Sequence, residues 1–184
     1  MPRTGRGHQR AKVVAVKLAI VALALVLSAC TTLIQPKLVS SPDDGALEDS
    51  NVSPYDNDHP AIRRLDPKLR DAMQRAARDA EAKGIKVVVT SGWRSKSYQQ
   101  RLLDDATSKY GSLDEARKHV NSPDKSTHVT GRAVDIGFTD AADWFSRKGS
   151  KYGLCQTYAN ELWHYELATE PGGDCPPQLS NAAG

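Results

Sequence analysis

The first clear pattern of apolar and polar positions lies in residues 67–83, where apolar side chains recur every three or four residues. These apolar positions are Leu69, Met73, Ala76, Ala77 and Ala80. This spacing places them on one face of a helix. Asp66 can cap the start, Pro67 suits the first helical position and Gly84 suits the end. The pattern therefore predicts a helix that buries one face.

Later apolar runs predict four short strands, separated by further helices. The expected strands are residues 85–90, 133–138, 154–158 and 163–167. Further helices are expected from Ser95 or Ser97 to Gly111, from Ser112 to Val120 and from Asp140 to Lys148. Ser112 begins a capping box with Glu115. The order α, β, α, α, β, α, β, β is typical of a small α+β domain.

Residues 1–29 have the pattern of an export signal. Five basic residues precede the ten apolar residues Leu18–Leu27 and then Ser28, Ala29 and Cys30. Ten residues are too few to cross a bilayer, which needs about 20. The run Leu27–Cys30 resembles a bacterial lipobox, in which cleavage precedes the cysteine and that cysteine carries a lipid. The alternative is an uncleaved anchor that also uses Val13–Val16.

The net charge of the chain depends on this predicted signal. The chain has 25 Lys and Arg against 22 Asp and Glu, for a net charge of +3, and residues 1–29 contain five of the basic residues and no acidic ones. Without them, 20 basic residues face 22 acidic ones, so the charge becomes −2. The composition therefore gives no support to a nucleic-acid partner.

The remaining segments divide into a tether, one domain and a tail. Residues 30–60 contain several prolines and aspartates and little apolar periodicity, which predicts a flexible tether. The length and the aromatic content of 6% favour one domain, over residues 61–175. Residues 176–184 are expected to be a loose tail. In an exported protein, Cys155 and Cys175 are expected to form a disulfide.

Candidate metal ligands lie on either side of a glycine. His128 and Asp135 are seven positions apart, and strand alternation after Gly131 places Asp135 on the face opposite Val134, Ile136 and Phe138. Downstream, His164 follows Glu161 by three residues. Two histidines and one carboxylate form a three-ligand zinc site with an open position for water. The alternative is a turn histidine and a capping or ion-paired aspartate.

Three motifs together resemble those of the zinc D,D-carboxypeptidases of the VanY type. They are the SxHxxGxAxD string over residues 126–135, Ser-Gly-Trp-Arg-Ser over residues 91–95 and ExWH over residues 161–164. The resemblance implies that His128, Asp135 and His164 hold Zn²⁺ and that Glu161 is the catalytic base. Leu162 departs from the proline that is often found there.

The resemblance also assigns roles around the metal. Arg94 would stabilise the oxyanion, Ser126 would help to hold the substrate, and Gln99 and Tyr98 are weaker candidates for the cleft wall. It implies an α+β fold of the hedgehog/D,D-peptidase type, with a small antiparallel sheet flanked by helices. Strand alternation, and not the resemblance, gives a further expectation: Glu161 is an odd number of residues from His164, so it is expected in a turn that curls back towards His164.

Two aromatic expectations come from the pattern itself. Trp144 and Phe145 are expected to point inwards from the helix over residues 140–148. Alternation in the last strand places Trp163 opposite His164. Trp163 is therefore expected in the core, with a substrate-facing position as the alternative.

Three functions are compatible with these motifs. The first is a zinc D,D-carboxypeptidase that removes the terminal D-Ala of peptidoglycan stem peptides ending in D-Ala-D-Ala. The second is an endopeptidase that cuts within the stem peptide or the cross-link, and the third is a wall-binding lipoprotein without activity. A monomer is expected, anchored through lipidated Cys30 to the outer face of the cytoplasmic membrane.

Overall fold

The computed structural model describes residues 41–47 and 49–183. The predicted signal, Cys30 and residues 30–40 of the predicted tether lie outside this part of the chain. The helices are α1 (Pro60–Arg63), α2 (Pro67–Glu81), α3 (Lys96–Tyr110), α4 (Leu113–Arg117) and α5 (Thr139–Lys148). The strands are β1 (Val88–Ser91), β2 (Ala133–Gly137), β3 (Leu154–Gln156) and β4 (His164–Leu167). None of the helices in the described ranges is both long and apolar enough to cross a membrane.

The four strands form one antiparallel sheet in the order β1-β2-β4-β3. Helices α2 and α5 pack with it in one apolar core. Its largest fully buried side chains include Tyr165, Phe145, Ile62, Leu69 and Met73. The predicted α+β class with a small antiparallel sheet is confirmed.

Helix α2 follows from its sequence as predicted. The Asp66 carboxylate accepts hydrogen bonds from the backbone amides of Lys68 and Leu69, at 2.8 and 3.3 Å, and Pro67 occupies the first turn. All five apolar residues of the predicted face are buried. Burying such a face gives most of the stability of a helix in a folded domain.

The buried apolar face of β2 is shorter in the structure than the sequence pattern predicts. Val134 and Ile136 are buried, but the Phe138 side chain is 52% exposed. Strand β2 ends at Gly137, and Phe138 is already the N-cap position of α5. The prediction of Phe138 on the buried face is therefore wrong, because strand alternation does not continue past the end of the strand.

The predicted disulfide is present, and it holds the tail close to the sheet. Cys155 and Cys175 are bonded, with Cα atoms 5.6 Å apart. Beyond the bridge, the Leu179 amide donates to the Thr157 carbonyl at 3.0 Å, and the Ala159 amide donates to the Leu179 carbonyl at 2.8 Å. The expectation of a loose tail is therefore wrong at Leu179.

The prediction of a tether is also wrong for residues 52–60, which pack against the domain. Val52 and Val89 exchange two backbone hydrogen bonds of 2.9 Å, which adds a bridge beside β1. Pro54 is fully buried, and its carbonyl accepts a hydrogen bond from the Gln74 amide group at 3.0 Å. Single apolar residues among polar ones have no periodicity, so the sequence pattern does not reveal these contacts.

Residues 41–47 contact the loop that follows β1, and we name them the N-terminal segment. The Asp44 carboxylate accepts from the Ser95 hydroxyl at 2.7 Å and forms a salt bridge of 2.7 Å with Arg101. Gly45 has a φ of 84°, and a Cβ atom there would lie 2.0 Å from the Trp93 carbonyl oxygen. The backbone therefore passes this loop at a distance that only glycine permits.

We expect Asp44→Ala to lower the free energy of unfolding by about 1–2 kcal/mol, because it removes two partly buried, charge-assisted hydrogen bonds. Urea unfolding measures the change. Asp43→Ala is the matched control, since the Asp43 side chain is exposed and forms no hydrogen bond with the described residues. Equal stability of the two variants would show that the Asp44 contacts contribute nothing.

Candidate metal centre

The pairing of β2 with β4 brings two of the predicted ligands together. In this antiparallel register Asp135 lies directly opposite His164. Side chains at opposite positions share one face of the sheet and have Cβ atoms roughly 5 Å apart. Both side chains are buried. Two residues that are 29 positions apart in sequence thus become neighbours through strand pairing alone.

His128 reaches the same point from the loop before β2. The Gly131 amide donates to the His128 carbonyl at 3.0 Å, and the Asp66 amide donates to the Gly131 carbonyl at 2.8 Å. Gly131 has a φ of 71°, and a Cβ atom there would lie 2.4 Å from the Arg64 carbonyl oxygen. The glycine of the motif is therefore required for the tight turn that positions His128.

Hydrogen bonds fix which nitrogen of each imidazole faces the site. His128 Nδ1 lies 2.8 Å from the Gly92 carbonyl oxygen, which can only accept, so Nδ1 carries the proton. His164 Nε2 donates to the Glu166 carboxylate at 2.9 Å. His128 Nε2 and His164 Nδ1 are left facing Asp135. Such outer partners hold metal-binding histidines in the correct tautomer and orientation.

The three ligand atoms form a triangle that fits a metal ion. His128 Nε2 lies 3.2 Å from His164 Nδ1, and Asp135 Oδ1 lies 3.3 and 3.2 Å from these two nitrogens. Four ligand atoms placed tetrahedrally at about 2.0 Å from a metal ion are about 3.3 Å apart. The residues therefore match three corners of such a tetrahedron, and the fourth corner is left for water.

The charges around this triangle favour a bound cation. Burial lowers the pKa of His128, and the nearby Arg94 guanidinium lowers it further. Burial alone would raise the pKa of the Asp135 carboxyl, but His128 and His164 hold it well below its usual range. Burial disfavours a protonated His164, yet hydrogen bonds to Asp135 and Glu166 raise its pKa to about 9. An anionic Asp135 and a histidine that attracts a proton suit a site for a metal cation.

Glu161 lies beside the triangle, in the turn predicted for it. The His164 amide donates to the Glu161 carbonyl at 3.2 Å, and Glu161 Oε2 lies 3.8 Å from His164 Nδ1. The other carboxylate oxygen, Oε1, is buried, and no described residue forms a hydrogen bond with it. Burial raises the pKa of Glu161 to about 7. A carboxyl group with this pKa can both accept and donate a proton near neutral pH.

Arg94 contacts the metal-ligand set through Asp135. Its guanidinium donates to Asp135 Oδ2 at 3.2 Å, to Gln99 Oε1 at 3.0 Å and to Ser91 Oγ at 2.7 Å. Because Asp135 Oδ1 faces the histidines, Arg94 holds the carboxylate with its other oxygen. A guanidinium has five N–H donors, so two remain for a substrate oxygen.

These residues line a cavity of about 210 Å³. Among the predicted site residues, the cavity wall includes Arg94, Gln99, Ser126, His128, Asp135, Glu161 and His164. Gln99 is fully buried, and its amide donates to the Asn121 carbonyl at 2.8 Å. Tyr98 is not part of the cavity wall. Its ring lies under the Arg101 guanidinium, with the ring centroid 5.5 Å from Arg101 Cζ.

The structure also corrects the expectation for Trp163, and it adds two residues to the site. Trp163 is 46% exposed and lines the cavity, so its prediction as a core residue is wrong and the substrate-facing alternative fits. The added residues are Glu166, which orients His164, and Tyr158, whose ring centroid lies 4.9 Å from that of His164. Strand alternation already places Glu166 on the face of His164, whereas no sequence signal distinguishes Tyr158.

The sequence profile of the VanY family, described as D-alanyl-D-alanine carboxypeptidase, matches residues 62–171. The chain belongs to this family. The match covers all three motifs that suggested the resemblance, including the four residues His128, Asp135, Glu161 and His164. The family predicted from the motifs is therefore confirmed.

One relative with a similar description matches the chain at low identity. A D-alanyl-D-alanine carboxypeptidase of Enterococcus faecalis (strain V583) is 27% identical over 127 residues, which are 55% of this chain and 46% of that protein. The chain thus spans about half the length of this relative.

Two solved structures share the fold. The vancomycin-resistance D,D-dipeptidase VanXYg, in complex with a D-Ala-D-Ala phosphinate analog, is 29% identical with a TM-score of 0.54, over 68% of this chain and 60% of that chain. A mutant of the D,D-pentapeptidase VanY from the VanB-type resistance cassette, in complex with Zn(II), is 24% identical with a TM-score of 0.53. That similarity covers 55% of this chain and 71% of the VanY chain, and it shows the fold.

Proposed function

We propose that this protein is a zinc-dependent D,D-carboxypeptidase that removes the terminal D-Ala from peptidoglycan stem peptides. The observation that carries the proposal is the triangle of His128, Asp135 and His164 with the buried carboxyl of Glu161 beside it. VanXYg, which is bound to a D-Ala-D-Ala phosphinate analog, supports a substrate of this class.

Zinc held by these three residues would supply a water of lowered pKa and an electrophile for the carbonyl of the scissile bond. Glu161 takes the proton from the attacking water and passes it to the nitrogen of the departing D-Ala. Burial raises the pKa of Glu161 and so helps its carboxyl group to hold the proton between the two transfers. Its buried Oε1, which has no partner among the described residues, is available for this proton.

Arg94 and the cavity wall would stabilise and orient the substrate. The two free donors of the guanidinium can bind the oxygen of the scissile carbonyl as negative charge develops on it. The Gln99 side chain, which accepts from Arg94 and donates to Asn121, holds the guanidinium in place. Ser126, buried in the cavity wall next to His128 in the loop, offers a hydroxyl to the terminal carboxylate.

A free and a blocked pentapeptide stem test the bond that is cut. We expect release of one D-Ala from the free peptide and no cleavage of the peptide whose terminal carboxylate is an amide, because the amide lacks the charge that polar donors would bind. Mass spectrometry measures both products. Equal turnover of the amide, or release of a longer fragment, would favour the endopeptidase. An intact free peptide would favour the non-catalytic wall-binding lipoprotein.

We further propose that Cys30 anchors the protein at the outer face of the cytoplasmic membrane. The lipobox-like run Leu27–Cys30, preceded by a basic and apolar segment, supports this location. We expect the native protein to incorporate labelled fatty acid during growth and Cys30→Ala to incorporate none. A Cys30→Ala protein that is unlabelled yet still bound to membranes would favour the uncleaved anchor.

A further inference from the structure

A second cavity, of about 370 Å³, continues from the cavity of the metal centre. The two cavities share His119, Val120, Glu161 and Trp163 in their walls. The second cavity includes none of the polar residues Arg94, Gln99 and Ser126. We name this second cavity the aromatic groove. It leaves the metal centre on the side of Glu161 and Trp163.

Three rings, those of Tyr110, His119 and Trp163, line the aromatic groove. The rings of Tyr110 and His119 stack with centroids 4.3 Å apart and an interplanar angle of 15°. Tyr110 is 37% exposed and Trp163 is 46% exposed. Asn160 donates to the Lys118 carbonyl at 3.1 Å and so links the turn before β4 to the end of α4. This hydrogen bond holds the wall together, and the Tyr110 and Trp163 side chains keep part of their surface exposed for a ligand.

A lysine adds a positive charge to the aromatic groove. Lys109 Nζ lies 4.9 Å from the centroid of the Tyr110 ring. Within the described residues, no carboxylate lies within 4.0 Å of Lys109 Nζ, although the carboxyl groups of Asp105 and Glu161 also line the groove. Lys109 is exposed and can pair with a carboxylate of a ligand. Apolar ring faces beside one cation suit an extended peptide that carries a carboxylate.

The proposed reaction determines which part of a substrate would lie in this groove. A carboxypeptidase holds the terminal residue at one end of its site, so the rest of the peptide must leave on the amino side of the scissile bond. The polar donors Arg94, Gln99 and Ser126 lie in the first cavity only. If these donors hold the carboxyl end, the amino side of the peptide extends past Trp163.

We propose that the aromatic groove binds the amino-side residues of an acidic stem peptide, with peptide groups against Trp163 and Tyr110 and a carboxylate against Lys109. This inference rests on the proposed function. It predicts that the enzyme prefers a complete pentapeptide stem to a short acylated D-Ala-D-Ala peptide that ends before the groove. The preference comes from binding, so it appears mainly in KM.

The test uses Lys109→Ala combined with Tyr110→Ala and compares the two peptides. We expect the ratio of kcat/KM for the long and the short peptide to fall about tenfold, the effect of one exposed ion pair and one aromatic contact. Lys86→Ala is the matched control, because Lys86 is also an exposed lysine, with Nζ 5.6 Å from the centroid of the Phe138 ring, and lines neither cavity. The control should keep the native ratio.

Binding to Glu161→Gln separates this inference from the proposed function. If neither peptide is hydrolysed by the native protein, the proposed function fails. The groove is then judged by calorimetric titration of the two peptides into Glu161→Gln. If Glu161→Gln binds the long peptide more tightly than the short one, and adding Lys109→Ala and Tyr110→Ala removes this difference, the groove binds the amino-side residues as proposed. A ratio unchanged by these substitutions, in turnover or in binding, overturns it.

Discussion

Glu161→Gln should keep its zinc and lose about 10²- to 10⁴-fold in kcat, the range that a general acid–base group contributes. Glutamine preserves the size of the side chain but cannot accept the proton of the attacking water. Glu161 lies outside the triangle of ligand atoms, with its nearer oxygen 3.8 Å from His164 Nδ1. Metal analysis and turnover of the pentapeptide, measured on the same sample, give both values.

Glu170→Gln is the control for this substitution, because Glu170 is an exposed glutamate in the turn after β4. It should keep both zinc and activity. If zinc and activity fall together in Glu161→Gln, Glu161 is a ligand and not a base. If activity remains, another group carries the proton.

His128→Ala and His164→Ala should each lose most of the bound zinc, and the double variant should lose all of it. Each substitution removes one of the three ligand atoms that form the triangle among the described residues. Removal of a hydrogen-bond partner of a metal-binding histidine lowers metal affinity roughly 10–100-fold. Removal of the histidine itself should lower zinc affinity by more than this. Metal content after dialysis against a zinc buffer measures the loss.

Two further variants make this result specific. Glu166→Gln, which weakens the hydrogen bond to His164 Nε2, should lower zinc affinity by about 10–100-fold. His119→Ala should have no effect, although His119 lines the same cavity, because it lies outside the ligand triangle. Stoichiometric zinc in the double variant of His128 and His164 would contradict the assigned site.

The ligand set could be predicted from the sequence because each ligand lies in a short, strongly patterned motif. Alternation after Gly131 placed Asp135 on one face of β2, and the same rule placed His164 and Glu166 together on β4. An odd separation from His164 required Glu161 to lie in a turn, as found. The sequence did not reveal the strand pairing that brings Asp135 opposite His164. The family resemblance implied only that both residues hold the metal.

Aromatic residues at strand ends were not predictable in the same way. Phe138 follows the last residue of β2 and Trp163 precedes the first residue of β4, and both side chains are about half exposed. At such positions a one-residue difference in the strand boundary changes whether a side chain faces the core. Sequence patterns locate strand boundaries less accurately than they locate the strands themselves.

The N-terminal contacts were missed for a different reason. Asp44 and Val52 have their partners Arg101 and Val89 far along the chain. A polar segment with isolated apolar residues has the composition of a tether, whether or not it packs. The experimental protein should therefore begin no later than residue 41, so that the contacts of Asp44 and Gly45 with the loop before α3 are kept.

We propose that the release of D-Ala requires a zinc ion bound by His128, Asp135 and His164. The most direct measurement removes metal with a chelator and returns zinc in steps while free D-Ala from the pentapeptide stem is quantified. We predict no release without metal, and a linear rise that stops at one zinc per chain. Release that persists after complete metal removal, or no release at one zinc per chain, would contradict the account.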